Sequence, residues 1–265
     1  MSGLLLRRKI NNRYKINDEH VFEFVNKTGI TDQIQIETIN SFVEIIKKNG
    51  LWQKFVAIYP IIGSNANAHK YNLVDVNKYS IQFIGQETHN NFGLTTGYSS
   101  PSFNLSTTNF LNNIADFHMS IYVGAGWASG GVNDIGYPNR TATNTQPCCS
   151  VYLQYSDNKL YFDCGKESDG RLFAANGDNR GFFFMNNKNN IQEVYKGDML
   201  LGSRYNYNSN ISVPFHLNGY VSSTGANNNQ RRYQFITFGY GLTSLEHSIL
   251  YNNIEVFQKK LKRQI

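Results

Sequence analysis

The chain is short of the residues that covalent and metallic scaffolds use. It has only 3 cysteines in 265 residues. Cys148 and Cys149 are adjacent and Cys164 stands alone, so an odd count with a vicinal pair excludes a disulfide framework. No Cys-x-x-Cys is present, and adjacent cysteines rarely aim both sulfurs at one metal, which leaves a zinc site unsupported. The expected state is reduced, buried thiols. No window approaches the roughly 20 apolar residues of a membrane span. Leu4-Leu-Leu6 is too short for a signal-peptide core, and Arg7-Arg8 follow it rather than precede it. Synthesis in a cytosol without secretion is the expectation.

Catalytic signatures are missing as well. There is no Gly-x-Ser-x-Gly; Gly126-Trp-Ala-Ser-Gly-Gly131 is a glycine-rich loop. The histidines, His20, His69, His89, His118, His216 and His247, are widely spaced, with no His-x-His and no His-Glu-x-x-His. Gly124-Ala-Gly126 follows a strand pattern, but no helix and no Lys-Ser/Thr comes after it, so no phosphate loop forms. No cofactor and no metal is expected. Asn133-Asp134 and Asp178-Asn179 carry calcium-type ligands, although Asn/Asp turns are the commoner use of such pairs.

Aromatic residues are plentiful at 14%, and charged residues are scarce at 17%, a balance that argues against disorder. The net charge of +6 sits at the termini. Arg7, Arg8, Lys9, Arg13 and Lys15 give residues 1–15 a charge of +5, and residues 255–265 add +3, so the body is left at −2. A near-neutral body does not suit nucleic acid, which wants a basic face on the folded domain.

Three units follow from the pattern. Residues 1–16 read as a basic arm. Residues 17–60 read as a helical lead-in: Asn17 or Asp18 caps a helix presenting Val21, Phe22 and Val25, and Gly29 stops it. Thr31-Asp32 opens a second helix with the stripe Ile36, Ile39, Phe42, Val43 and Ile46, ended by Lys47, Lys48 and Gly50. Two such helices cannot bury a core alone, so they must pack on a neighbour. Residues 61–265 read as mostly β. Predicted strands are Ser80–Ile84, Phe117–Val123, Val151–Tyr155, Lys159–Cys164, Arg171–Ala175, Phe182–Met185, Gln192–Lys196, Met199–Ser203, Ile211–Leu217 and Gln234–Phe238. Polar turns such as Ser156-Asp-Asn158 separate them, which predicts a two-sheet antiparallel sandwich. Thr243-Ser-Leu-Glu246 is a capping box for a closing helix with Leu250, Ile254, Phe257 and Leu261 on one face.

Gly50-Leu-Trp-Gln-Lys-Phe-Val-Ala-Ile-Tyr-Pro-Ile-Ile-Gly63, followed by Ala68-His-Lys-Tyr-Asn-Leu73, marks the change from helix to strand. With the close Phe238-Gly-Tyr-Gly-Leu-Thr243 and the helix reaching Ile265, it resembles tailed-bacteriophage virion proteins of head and tail fibres. In those proteins a helical lead-in runs into a concanavalin-A-like (lectin/glucanase, LamG-like) jelly roll. The two ends match well and the middle only in style. The resemblance implies a jelly-roll sandwich with two leading helices and one closing helix. It also implies a structural virion component partnered by capsid or tail proteins and by copies of itself, as a dimer or trimer. The arm residues Arg7, Arg8, Lys9 and Arg13 would anchor it. His69 falls in the motif and is expected to make a structural hydrogen bond at the junction; Trp52 is expected in the core.

Because that fold includes glucanases, glycoside hydrolysis is the first enzyme to weigh. It needs two facing carboxylates, in this fold from a Glu-x-Asp-x-x-Glu strand, and none is present. Asp157, Asp163, Glu167 and Asp169 read as solvated positions around a turn and a loop. No enzyme is expected. Glycan binding fits better, since a sugar offers apolar C–H faces and many hydroxyls to aromatic and amide groups. Trp127, Asn133, Asp134, Tyr137 and Arg140 supply these in one loop, and Tyr205 and Tyr207 in a second. The alternatives are an assembly or spacer protein of the virion and a glycosidase.

Overall fold

The computed structural model describes residues 16–85, 87–96, 115–125, 133–137, 147–166, 171–205, 216–217 and 231–265. The side chains of 137, 147–148, 165–166 and 216–217 are outside that description. Helices α1 (Glu19–Thr28) and α2 (Gln33–Lys48) lead through a 3-10 turn at Trp52–Lys54 into strand β1 (Phe55–Tyr59) and the single-turn helix α3 (Ala66–His69). Then come β2 (Thr88–Asn90), β3 (Gly93–Thr95), β4 (Asp116–Ala125), β5 (Ile135–Tyr137), β6 (Pro147–Tyr152) and β7 (Lys159–Lys166). The chain continues through β8 (Arg171–Ala175), β9 (Gly181–Lys188), β10 (Ile191–Lys196), β11 (Met199–Tyr205), β12 (His216–Leu217) and β13 (Arg232–Gly239) to α4 (Ser244–Lys260).

The strands form two antiparallel sheets. The larger runs β11-β10-β9-β4-β13-β3-β2, with β1 also paired to β13; the smaller runs β12-β5-β6-β7-β8. Alternation on the central strands shows how they stack. Phe117, Met119, Ile121 and Val123 of β4 and Phe183 and Met185 of β9 share one buried cluster with Val151, Leu160, Phe162 and Cys164 of the smaller sheet. The intervening Tyr122, Phe182 and Phe184 fall in a second cluster with Phe24, Ile39, Phe42, Leu250 and Phe257 of the helices. The larger sheet is therefore a middle layer, covered by the smaller sheet on one face and by helices on the other. Covering both faces forces the polar residues of β4 inward. His118 Nδ1 donates to Tyr240 O (2.7 Å), and its Nε2 lies 3.2 Å from Thr237 Oγ1, which is 2.6 Å from Ser120 Oγ. Buried polar groups satisfied in this way cost little.

The helices form where capping chemistry places them. Asp18 accepts from His20 N (3.0 Å), and Gly29 closes α1 in the left-handed region at φ 72°, which favours glycine. Asp32 caps α2 through Gln35 N, and the whole stripe Ile36, Ile39, Phe42, Val43 and Ile46 is buried. The Thr243–Glu246 capping box is fully formed. Asn253 Nδ2 of α4 donates to Phe42 O of α2 (3.1 Å), and the rings of Phe42 and Phe257 meet edge-on at 5.8 Å. Beyond α4, the buried Arg263 donates to Ile61 O (2.9 Å) and Gln234 O (3.2 Å), tying the tail to β13.

Several elements differ from the sequence reading. The chain enters the larger sheet at Phe55, inside the span assigned to the helical lead-in. Phe55-Val-Ala-Ile-Tyr59 is a short apolar run, and it pairs with β13 from Phe55↔Gly239 to Tyr59↔Ile236. Ser80–Ile84 is not a strand. Glu87 accepts from Ile84 N and Gly85 N, which turns the chain, and the β2–β3 hairpin occupies the edge. The strand expected at Val151–Tyr155 is shifted to Pro147–Tyr152, because Tyr155 N already belongs to the turn and donates to Lys159 O (2.8 Å). Within Ile211–Leu217 only His216–Leu217 is described, and it is strand. Trp52 is half-buried rather than in the core. Its ring faces the Lys47 ammonium at 4.7 Å and the edge of His20 at 4.9 Å.

Candidate functional site

Most of the residues singled out in the sequence lie where the structure describes no side chain. Trp127, Arg140 and Tyr207, and the arm residues Arg7, Arg8, Lys9 and Arg13, lie outside the described residues, as do Glu167 and Asp169. Tyr137 ends β5, and only its backbone is described. Asn133 and Asp134 are 0% exposed, which removes both from any solvent-facing sugar contact. Asp134 sits between the sheets. It accepts from Leu153 N (2.7 Å) and Tyr233 OH (3.3 Å) and is ion-paired to the equally buried Arg231. Removing one partner of such a desolvated pair would leave an uncompensated charge in the core. Among the described candidates, Tyr205 faces solvent, 55% exposed at the end of edge strand β11.

Asp163 also departs from expectation. It is a buried residue of β7, and Arg171 grips it from β8 with Nε on Oδ1 (2.7 Å) and Nη2 on Oδ2 (2.8 Å). The other calcium-type pair is a turn: Asp178 accepts from Arg180 N and Nε, and Asn179 Nδ2 donates to Gln154 Oε1. Among the described residues, no group of three or more His, Cys, Asp or Glu is placed to hold a metal. Among the described residues, no helix is long and apolar enough to cross a membrane either. His69 does make its junction contact, Nδ1 to Nδ1 of His89 at 3.0 Å.

A different set of residues comes together on the outer face of the smaller sheet. In β7, Leu160, Phe162 and Cys164 point inward, which turns Lys159, Tyr161 and Asp163 the other way. Register then aligns Tyr152 of β6, Tyr161 of β7 and Phe173 of β8 in one row across three strands. Exposure rises along the row, from 2% at Tyr152, through a half-buried Tyr161, to 57% at Phe173. Tyr155, from the β6–β7 turn, meets the rings of Tyr152 at 6.0 Å and Tyr161 at 5.6 Å. The Tyr161 and Phe173 rings lie 6.1 Å apart.

Charged groups frame these rings. Arg171 lies over Tyr161 at 5.0 Å and Lys159 over Phe173 at 5.2 Å. Tyr161 OH donates to Asp157 Oδ2 (2.6 Å), and Lys159 is 3.2 Å from the same carboxylate. The phenol's hydrogen bond, with help from Lys159, holds the Asp157 carboxyl below its usual range, and the same bond raises the phenol of Tyr161. Arg204 of β11 donates to Arg171 O (2.6 Å) and so links the edges of the two sheets beside the row. Arg171 and Lys159 offset Asp163 and Asp157, and Arg204 adds a further cation at the rim, so the described patch is aromatic with a polar, slightly basic edge. It can stack an apolar ring face while offering donors and acceptors at the edges.

This row was legible only in part. The alternation of Lys159–Cys164 identifies Tyr161 as outward-facing, and Arg171–Ala175 does the same for Phe173. Their adjacency depends on β6–β7–β8 register, which the sequence does not print.

No protein-family model and no curated protein sequence matches the chain. Solved structures do resemble it. A mutant of the Trypanosoma rangeli sialidase displaying trans-sialidase activity aligns with a TM-score of 0.55 at 9% identity, over 84% of this chain and 39% of that one. Botulinum neurotoxin type C, whose cell entry depends on two ganglioside molecules, aligns at 0.53 and 14% over 78% and 53%. Domain 4 of an extracellular arabinanase from Geobacillus stearothermophilus, in complex with arabinotriose, aligns at 0.51 and 12% over 75% and 98%. The chain thus spans well under two thirds of the sialidase and the toxin, and nearly all of the arabinanase domain. At such identities the likeness is one of fold: an antiparallel β-sandwich.

Proposed function

We propose that the chain is a carbohydrate-binding β-sandwich of jelly-roll type, carried on the particle of a tailed bacteriophage and without catalytic turnover. The observation that carries the binding reading is the row Tyr161–Phe173 with its charged rim. A rigid aromatic face ringed by hydrogen-bonding groups suits a saccharide, with the Arg171 and Lys159 side chains that lie over the rings turning aside to meet its hydroxyls. The sandwich neighbours support it, since one was solved with arabinotriose and another depends on gangliosides. The absence of turnover is supported by Asp163, whose two oxygens are both held by Arg171 and so are not poised as acid or nucleophile. The virion setting rests on the Gly50–Gly63 and Ala68–Leu73 motifs alone.

On a glycan array under multivalent display, the protein is expected to bind, with avidity compensating for weak single sites. Phe173→Ala and Tyr161→Ala are each expected to weaken binding by roughly tenfold or more. The exposed Phe173 should do so with little change in thermal stability. Binding unaltered in both variants would remove the row from the site. Absence of any hit would favour the reading as a spacer or assembly protein. New reducing ends on incubation with host polysaccharide would restore the glycosidase.

For the virion setting, the chain is expected in purified particles of the phage that encodes it. Deleting residues 1–15 is expected to leave a folded protein that particles no longer incorporate; Ile16 is kept because it is buried. Normal incorporation of the truncated chain would refute the anchoring arm.

A further inference from the structure

We propose that Cys149 and Cys164 are a latent cross-strand disulfide, a modification site that closes when the protein meets an oxidising environment. The two residues face each other directly in the β6–β7 register. Both are fully buried, and their sulfurs lie 4.0 Å apart in the thiol state. Directly opposed residues of antiparallel strands have Cα atoms about 4.5–5.5 Å apart, inside the roughly 4.4–6.8 Å that a disulfide spans. Side-chain rotation alone can therefore bring the sulfurs to the bonded distance of about 2.05 Å. Cys148 has no such option along its own rung, because Gly165 stands opposite it.

The surroundings favour this pair over a chance meeting of thiols. Asn187 reaches from β9 of the larger sheet and donates its amide to Cys164 Sγ at 3.8 Å. The oxidant is a small-molecule disulfide. One protein thiol loses its proton and attacks it, forming a mixed disulfide and expelling one small thiolate. The second protein thiol, deprotonated in turn, attacks the protein sulfur of the mixed disulfide and expels the other. Two protein thiols are oxidised, one small disulfide is reduced to two thiols, and the two protons go to the leaving groups. Because both sulfurs lie in the core, the reagent must wait for local opening of the smaller sheet, so exchange is slow in the resting fold. A chain made in a reducing cytosol would carry the thiols, and the same chain outside the cell would carry the bond. The inference does not depend on the glycan reading.

The test is incubation with oxidised glutathione, with and without sub-denaturing urea to admit the reagent, followed by intact-mass measurement and non-reducing peptide mapping. The expected product is about 2 Da lighter, has no glutathione adduct and links the peptides of Cys149 and Cys164. The residues are 15 apart in sequence. A cross-link over that span is expected to raise Tm by roughly 5–10 °C, reversibly with a reductant. Cys148→Ser should retain the effect, and Cys149→Ser and Cys164→Ser should lose it. A persistent glutathione adduct, a bridge through Cys148, no mass change even in urea, or a bridged protein with unchanged or lower Tm would each overturn the proposal. Mass mapping of the unmutated chain decides the matter even if a serine variant fails to fold.

Discussion

Replacing Asp134 with alanine is expected to cost about 3–5 kcal/mol of folding stability, enough to unfold many domains of ordinary stability. The carboxylate immediately precedes β5 of the smaller sheet, and its partner Arg231 immediately precedes β13 of the larger one. Neither side chain is exposed. Removing the acid leaves a guanidinium charge in the core with its main counter-ion gone, and it also strips Leu153 N and Tyr233 OH of an acceptor. Asp134→Asn keeps part of the hydrogen bonding but not the charge, so it should fall between wild type and alanine. Urea denaturation of the three proteins measures this. If Asp134→Ala kept wild-type stability and lost glycan binding instead, the acid would have to belong to a sugar site after all.

Acid is the second strong lever. His69, His118 and His247 are buried, and burial pushes them down to about 3, about 4 and about 4 respectively. At His69 the neighbouring His89 and Arg263 press further in the same direction. At His118 the Tyr240 carbonyl, and at His247 Asp198, oppose burial without cancelling it. The ordinary value is 6.5, so the unfolded chain binds protons that the folded chain refuses. Stability is therefore intact above about pH 6.5, is lost as pH falls, and stops falling on this account once the pH is below the folded values. Each histidine contributes a slope of about 1.4 kcal/mol per pH unit, and three together give about 4 kcal/mol per unit over roughly pH 6 to 4. Asp157 and Asp178, held low by Tyr161 and Arg180 first of all, add to the loss only below their own ordinary range. Cooperative unfolding is expected between about pH 4 and 5, given a typical stability of about 5–15 kcal/mol. A chemical-denaturation series that stays flat from pH 6.5 to 4.5 would falsify the burial of neutral imidazoles.

The helices could be read from sequence because their signals are local. Asp18, Asp32, Gly29 and the Thr243–Glu246 box each act within a few residues of themselves. Most strands were legible for the same reason, with alternation or an Asn/Gly turn at hand, as at Ser156–Asn158. What failed depends on distant partners. His118, Ser120 and Thr237 alternate with apolar neighbours as if facing water, yet the helices cover that face. Asn133-Asp134 has the composition of a sugar-binding loop. Its true role is set by Arg231, which nothing near residue 134 announces. The aromatic row is a third case, since Tyr152, Tyr161 and Phe173 become neighbours only through pairing. Trp127 stood out by residue type, whereas the row stands out only by position.

Strand β13 carries one more implication. It sits inside the larger sheet between β4 and β3 and also pairs with β1. Neither the first strand nor the sheet's middle can settle until a segment more than two hundred residues downstream of α1 has been translated. Contacts of such long sequence separation make for slow closure. During synthesis β13 emerges only with about the last eighth of the chain, so until then the β-rich segment ahead of it has strand edges with no partner to pair with.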